Sequence, residues 1–200
     1  MSGAQNAGLL LFGGTFDPPH NGHMHFLAGA IRAVQPGRVI VMPAGIPPHK
    51  AASATPAALR LAMCRCFLPL HPRLTVSDWE ICQGGKSYTI DTVDMLQKKY
   101  PGEPIYLCVG SDMLTTFTEW RSWRSLLQKT CLVAQSRQPG DMPRLRAAAA
   151  RLEQAGGRVL FTAAPALALA SSQVRAGKAG ADALPPEVSR IVQEYHLYER

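Results

Sequence analysis

The chain has 200 residues, of which 46% are hydrophobic, with 17 glycines and 16 prolines. That composition fits one globular domain with its own core and excludes a disordered or low-complexity chain. Lys and Arg outnumber Asp and Glu 21 to 14, a net charge of +7, but with no basic tail or run; a solvated basic surface is the first reading, a site for polyanionic small molecules the next, and nucleic acid the last.

A short apolar run over 8–12, stopped by Gly13-Gly14, predicts a buried strand. Met24, Phe26, Leu27, Ala30, Ile31 and Val34 recur at helical spacing and predict a helix over 21–34, ended by Pro36-Gly37. A second strand follows at 38–42, then a Pro-rich loop at 43–50. Thr55-Pro56 reads as an N-cap with Pro at the first helical position, opening a helix to about Leu68. A strand at 74–77, a break at Gly84-Gly85 and an amphipathic helix over 90–100 come next. A strand at 105–109 ends in Gly110, helical material surrounds 120–128, and a strand covers 131–134. The chain finishes with an Ala/Arg-rich helix over 143–155, a short strand at 158–161 and a helix over 186–196.

Strands alternating with helices predict an α/β fold. It is a doubly wound, Rossmann-like parallel sheet with helices on both faces. A single domain spans 1–200, with a helical segment from about 171 packed on it. Ligands of such sheets bind beyond the carboxyl ends of the strands. That rule gathers residues 13–23, 43–50 and 110–112 on one edge.

Cys64, Cys66, Cys82, Cys108 and Cys131 have neither framework nor zinc spacing and read as reduced, core-type thiols. No signal-peptide pattern and no membrane-length apolar stretch is seen, so a soluble, cytoplasmic protein is expected.

The first loop reads Gly13-Gly-Thr-Phe-Asp-Pro-Pro-His-Asn-Gly-His23. Gly13 and Gly14 allow a ligand close to the backbone. His20 and His23 share a face at a helix start, where free N–H groups and the helix dipole favour an anion. Two imidazoles there would donate to phosphate oxygens. Either histidine alone also reads as an ordinary hydrogen-bonded side chain. His25 adds a third imidazole and a zinc reading, opposed by the lack of Cys, Asp or Glu at ligand spacing in that helix. No GxGxxG is present.

This loop resembles the signature of the nucleotidylyltransferase superfamily and, within it, of the bacterial nicotinate-nucleotide adenylyltransferase family. Ile46-Pro-Pro-His-Lys50, Ser87-Tyr-Thr-Ile-Asp-Thr92, Gly110-Ser-Asp112, Trp120 with Trp123, Ser171-Ser-Gln-Val-Arg175 and Leu184-Pro-Pro-Glu-Val188 follow in the family's order. The resemblance implies transfer of the adenylyl group of ATP to nicotinate mononucleotide. The products would be deamido-NAD and pyrophosphate, with Mg²⁺ held mainly by the phosphates and no covalent enzyme intermediate. Such chemistry asks for positioning and charge neutralisation more than for a nucleophile.

By resemblance, Gly13, Gly14, Thr15, Phe16, His20, His23, His49, Lys50, Gly110, Asp112, Ser172 and Arg175 bind ATP, with His20 and His23 as the catalytic pair. Thr89, Trp120 and Arg121 bind the mononucleotide, Trp120 stacking on the pyridine ring. Lys50 also reads as an ordinary exposed lysine. Asp112 and Thr89 also read as helix N-caps, Trp123 as core, and Asp17 as a turn residue. Ser172 reads as an N-cap with Arg175 on the same helix. Ala170 stands where the family has a serine. Neither nucleic acid nor membrane is an expected partner. Rival readings are another acceptor, such as nicotinamide mononucleotide or phosphopantetheine, and a non-catalytic nucleotide or RNA binder.

Overall fold

The computed structural model describes residues 8–46, 53–163 and 167–199. Six parallel strands form one sheet: β1 (Leu9–Gly14), β2 (Arg38–Pro43), β3 (Leu74–Val76), β4 (Ile105–Gly110), β5 (Thr130–Gln135) and β6 (Val159–Phe161). Their order across the sheet is β3-β2-β1-β4-β5-β6. The helices are α1 (Asn21–Val34), α2 (Ala57–Met63), α3 (Trp79–Cys82), α4 (Thr89–Lys99), α5 (Ser111–Thr115), α6 (Trp123–Lys129), α7 (Met142–Gln154), α8 (Ser171–Arg175) and α9 (Pro186–Glu194). Among the described residues no helix is long and apolar enough to cross a membrane.

Strand pleating sorts the core into two layers. Leu9, Leu11, Ile40, Met42, Ile105 and Leu107 point to one face, under Val93 and Leu96 of α4 and Leu145 and Leu152 of α7. Leu10, Phe12, Val39, Val41, Cys108 and Val133 point to the other, under Phe26, Leu27 and Ala30 of α1, Met63 of α2, and Val188 and Ile191 of α9. Both faces are covered, so the central strands carry continuous apolar runs rather than alternation.

β1 pairs with β2 out to Gly14 and Pro43, but with β4 only from Leu9–Ile105 to Leu11–Leu107. The ladder at the centre of the sheet therefore ends early. Connections from β1 and β4 also leave in opposite directions. Together these open a crevice at the topological switch point, where doubly wound sheets bind ligands.

Several expected helix starts lie elsewhere. Thr55 is not a cap: α2 begins after Pro56 and runs only to Met63, and a tighter 3₁₀ turn over Cys64–Leu70 carries Pro69, which lacks the N–H an α-helix needs. The N-cap of α4 is Tyr88, not Thr89, and that of α5 is Gly110, not Asp112. α8 is capped at Ala170, not Ser172; alanine has no side-chain acceptor for the first-turn N–H groups, and only the reciprocal half of a capping box forms, the Gln173 side chain accepting the Ala170 N–H at 3.0 Å. Trp120 lies outside α6, in extended backbone after a 3₁₀ turn, so Trp120 and Trp123 do not share a helical face. The short helix α3 was not expected at all.

Candidate active site

At the carboxyl ends of β1 and β4 lies a cleft of about 1050 Å³. That is the upper end of the usual size for small-molecule sites and has room for more than one drug-sized ligand. Gly13, Gly14, Thr15, Phe16, His20, His23, Thr89, Asp112, Trp120, Arg121, Ser172 and Arg175 all line it. Gly110 lines a small recess beside it, with His20 and His23. His49 and Lys50 lie outside the described residues.

His20 is the N-cap of α1. Its Nδ1 accepts the His23 N–H at 3.3 Å, and the His23 Nδ1 accepts the His20 N–H at 3.2 Å. This is a capping box built from two imidazoles. The rings stack at 3.7 Å between centroids. Because each Nδ1 accepts, each neutral ring carries its proton on Nε2, at the opposite edge. The pair is thus two N–H donors set over a helix N-terminus. His25 turns elsewhere, with its Nδ1 3.3 Å from Gln135 Nε2. No group of three or more His, Cys, Asp or Glu able to hold a metal occurs among the described residues.

His20 is 3% exposed. Burial, aided by the charge of Arg137, lowers its pKa from 6.5 to about 4. The unfolded chain therefore takes up a proton near pH 6.5 that the folded chain refuses until about pH 4. Stability is full above pH 6.5 and falls as the pH drops toward 4, by up to about 1.4 kcal/mol per pH unit. Denaturant midpoints at about pH 7 and about pH 5 measure this loss. His20→Asn, which can still cap the helix, should flatten it; an unaltered loss would clear His20 as its source.

Phe16 supports the pair from below. It is 2% exposed, and its ring meets His23 edge-on at 5.2 Å and packs on Phe12 and Phe67. Its φ of +50° is rare for an aromatic residue and is held by that packing. Gly13, by contrast, is exposed, and a side-chain carbon placed there would meet nothing closer than 3.9 Å. The backbone is bare toward the cleft at that point.

Four groups escaped the sequence reading. Arg60, 3% exposed, donates to the carbonyls of Thr15 (2.9 Å), Ala44 (2.7 Å) and Gly45 (3.3 Å), clamping the loops that follow β1 and β2. Arg137 follows β5 and pairs with Asp112 at 3.4 Å. Both side chains are largely exposed, so the pair is worth little to stability, but it places a cation beside His20. A side chain at Gly110 would come within 2.9 Å of the Asp112 carboxylate and 3.0 Å of the Arg137 guanidinium, so it would push that pair aside. Glu80, on α3, lines the cleft and accepts the Thr92 hydroxyl at 2.5 Å; burial raises its pKa. Tyr198 reaches in from the C-terminus and donates to Asp17 at 2.7 Å. No spacing or motif announces any of the four.

On the far wall, Arg121 rests its guanidinium 4.6 Å from the centre of the Tyr88 ring. Tyr88 is the N-cap of α4, so Arg121, Trp120 and the N–H groups of the first turn of α4 border one end of the cleft. Arg175 borders the other, donating Nη1 to the Asp17 carbonyl at 2.6 Å.

A parallel α/β sheet that opens at its switch point frames a ligand site there, and the relatives of this chain are described as nucleotide-transferring enzymes. Residues 11–177 match the cytidylyltransferase-like family, and the chain belongs to that family. It is 34% identical over 196 residues to a protein of Neisseria meningitidis serogroup B described as "Probable nicotinate-nucleotide adenylyltransferase", covering 95% of this chain and 98% of that one. A protein of the same description from Acidithiobacillus ferrooxidans is 33% identical over 217 residues, covering 100% and 99%. Its fold is shared with the nicotinic acid mononucleotide adenylyltransferase of Plasmodium falciparum, solved in complex with NaAD. The TM-score is 0.77 at 16% identity, over 95% of this chain and 96% of that one.

Proposed function

We propose that this chain transfers the adenylyl group of ATP to nicotinate mononucleotide, forming deamido-NAD and pyrophosphate in NAD biosynthesis. The observation that carries the reading is the stacked His20–His23 pair over the α1 N-terminus, at one side of a cleft whose far wall is Trp120, Arg121 and the start of α4. The full-length similarity to adenylyltransferases supports it.

A phosphate oxygen of the mononucleotide attacks the α-phosphorus of ATP in line. The bond from the α-phosphorus to the bridging oxygen breaks, and pyrophosphate leaves with the electron pair. His20 and His23 donate their Nε2–H groups to phosphate oxygens that gain charge in the transition state, together with the open N–H groups of α1. Gly13, Gly14, Thr15 and Phe16 form the close backbone floor, with Gly110 beside it. His49, Lys50, Ser172 and Arg175 bind the triphosphate, and Asp112 accepts from a ribose hydroxyl. Trp120 stacks on the pyridine ring. The N–H groups around Thr89 and the Arg121 charge receive the nicotinate carboxylate.

Mg²⁺ neutralises phosphate charge when bound. Asp17, a buried carboxylate at the cleft, has its oxygens taken by Ser53 and Tyr198. That donor set suits an ion carried mainly by phosphates and water. We place the reaction in the cytoplasm, where the free thiols of the five cysteines would stay reduced.

Turnover with ATP and each of three acceptors tests the reading. Nicotinate mononucleotide should release pyrophosphate faster than nicotinamide mononucleotide, and phosphopantetheine should release none. Pyrophosphate from none of them would refute an adenylyltransferase; fastest release with phosphopantetheine would reassign the acceptor.

A further inference from the structure

We propose that Tyr198 is a positioning residue for ATP: its hydroxyl engages the Asp17 carboxylate and so keeps Arg175 available to the triphosphate. The inference rests on the reading above that the cleft takes ATP.

The C-terminal residues are bent back over the cleft by the end of α9. The His196 N–H donates to the Gln193 carbonyl at 3.3 Å and the Leu197 N–H to the Val192 carbonyl at 2.9 Å. This pattern closes a helix with a left-handed residue, usually glycine, here His196 at φ +47°. Val192 and Leu197 pack together against the core layer under α9. Tyr198 follows at φ +68°. Two non-glycine residues in this sparsely populated region, so close together, persist only when their contacts hold them.

The contact that Tyr198 makes is specific. Its hydroxyl donates to Asp17 Oδ1 at 2.7 Å and accepts from Thr55 Oγ1 at 3.3 Å. Ser53 Oγ donates to Asp17 Oδ2 at 2.7 Å. Both carboxylate oxygens are therefore met by neutral hydroxyls. Arg175 is left bonded to the Asp17 backbone carbonyl rather than to the carboxylate, while its side chain lines the cleft. Burial pushes the Asp17 carboxyl up, but the hydroxyls of Thr55, Tyr198 and Ser53 and the charge of Arg175 together hold it below its usual value. It remains an anion.

Without the tyrosine hydroxyl, a carboxylate that is 7% exposed loses a donor. Among the described residues, the cations that act on it are Arg60 and Arg175. Arg60 is committed to three carbonyls. Arg175 is the one placed to turn onto the carboxylate, in a bond charged on both sides, which is stronger than its present bond to a neutral carbonyl. It would then be withdrawn from ATP.

ATP binding by calorimetry, with turnover in parallel, tests this on the full chain. Tyr198→Phe should raise the Kd and KM for ATP about tenfold, the size of one lost bond to a charged group. The KM for the mononucleotide should change less than about twofold. In an Asp17→Asn background, where no charge remains to capture Arg175, Tyr198→Phe should bring no further loss of ATP affinity. An unchanged ATP Kd in Tyr198→Phe would overturn the proposal. So would equal rises in both KM values, or the same loss in the Asp17→Asn background. A wild-type chain that binds ATP but turns over no acceptor would refute the reaction and leave the Tyr198 result decisive; a wild-type chain that binds no ATP would overturn both.

Discussion

Replacing His20 with Asn is expected to lower kcat by about 10²–10³, the scale for losing one preorganised donor to developing negative charge. The expectation follows from the tautomer. His20 spends Nδ1 on the His23 N–H, so only Nε2–H is left to serve a ligand. A buried imidazole with a pKa of about 4 is neutral at pH 7, and it acts as a fixed dipole rather than as a charge. Asn still accepts the N–H at the helix start but is too short to reach where Nε2 stood. His20→Ala loses the donor and the cap together. It should match the Asn variant in kcat and fall below it by about 1 kcal/mol in stability. Pyrophosphate release and urea denaturation on both variants separate the two roles. A kcat within about threefold of wild type in the Asn variant would remove His20 from the chemistry.

Arg60→Leu should cost roughly 3 kcal/mol, because it strips a charged donor from three half-buried carbonyls at once. Its guanidinium stays protonated although burial lowers its pKa, since arginine starts so high. The carbonyls belong to Thr15, Ala44 and Gly45, so the loss also loosens the loops after β1 and β2 that border the cleft. Arg60→Lys keeps the charge but not the fork and should fall between. Urea midpoints decide it: a Leu variant within about 0.5 kcal/mol of wild type would show that the clamp contributes nothing net.

Much of the fold could be read from residue patterns, for a local reason. The runs from Leu9 to Phe12 and from Cys131 to Ala134 are apolar throughout because both faces of a central parallel strand are covered. The 3.6-residue spacing from Met24 to Val34 forces one side of α1 inward. Helix starts were less legible. Ala170 stands at the start of α8 without an acceptor of its own, its N–H taken by the Gln173 side chain, and Thr55, which looks like a cap, turns its hydroxyl to Tyr198. Capping is decided by which acceptor arrives, not by residue type alone.

The site divides along the same line. Gly13, Gly14, Thr15, Phe16, His20 and His23 of the first loop, with Thr89, Asp112, Trp120, Arg121, Ser172 and Arg175, were marked by the family resemblance, and they line one cleft. Arg60 sits in a short helix whose sequence, Ala-Ala-Leu-Arg-Leu-Ala-Met, looks like any surface helix with an arginine. Tyr198 is separated from Asp17 by 181 positions. Local sequence determined the strands, the start of α1 and the two histidines on it, because each depends on neighbours within a few residues. Only the tertiary structure decided that a guanidinium from α2 and a hydroxyl from the C-terminus hold the first loop in place. Those contacts exist once the sheet has brought distant segments together, and no spacing along the chain encodes them.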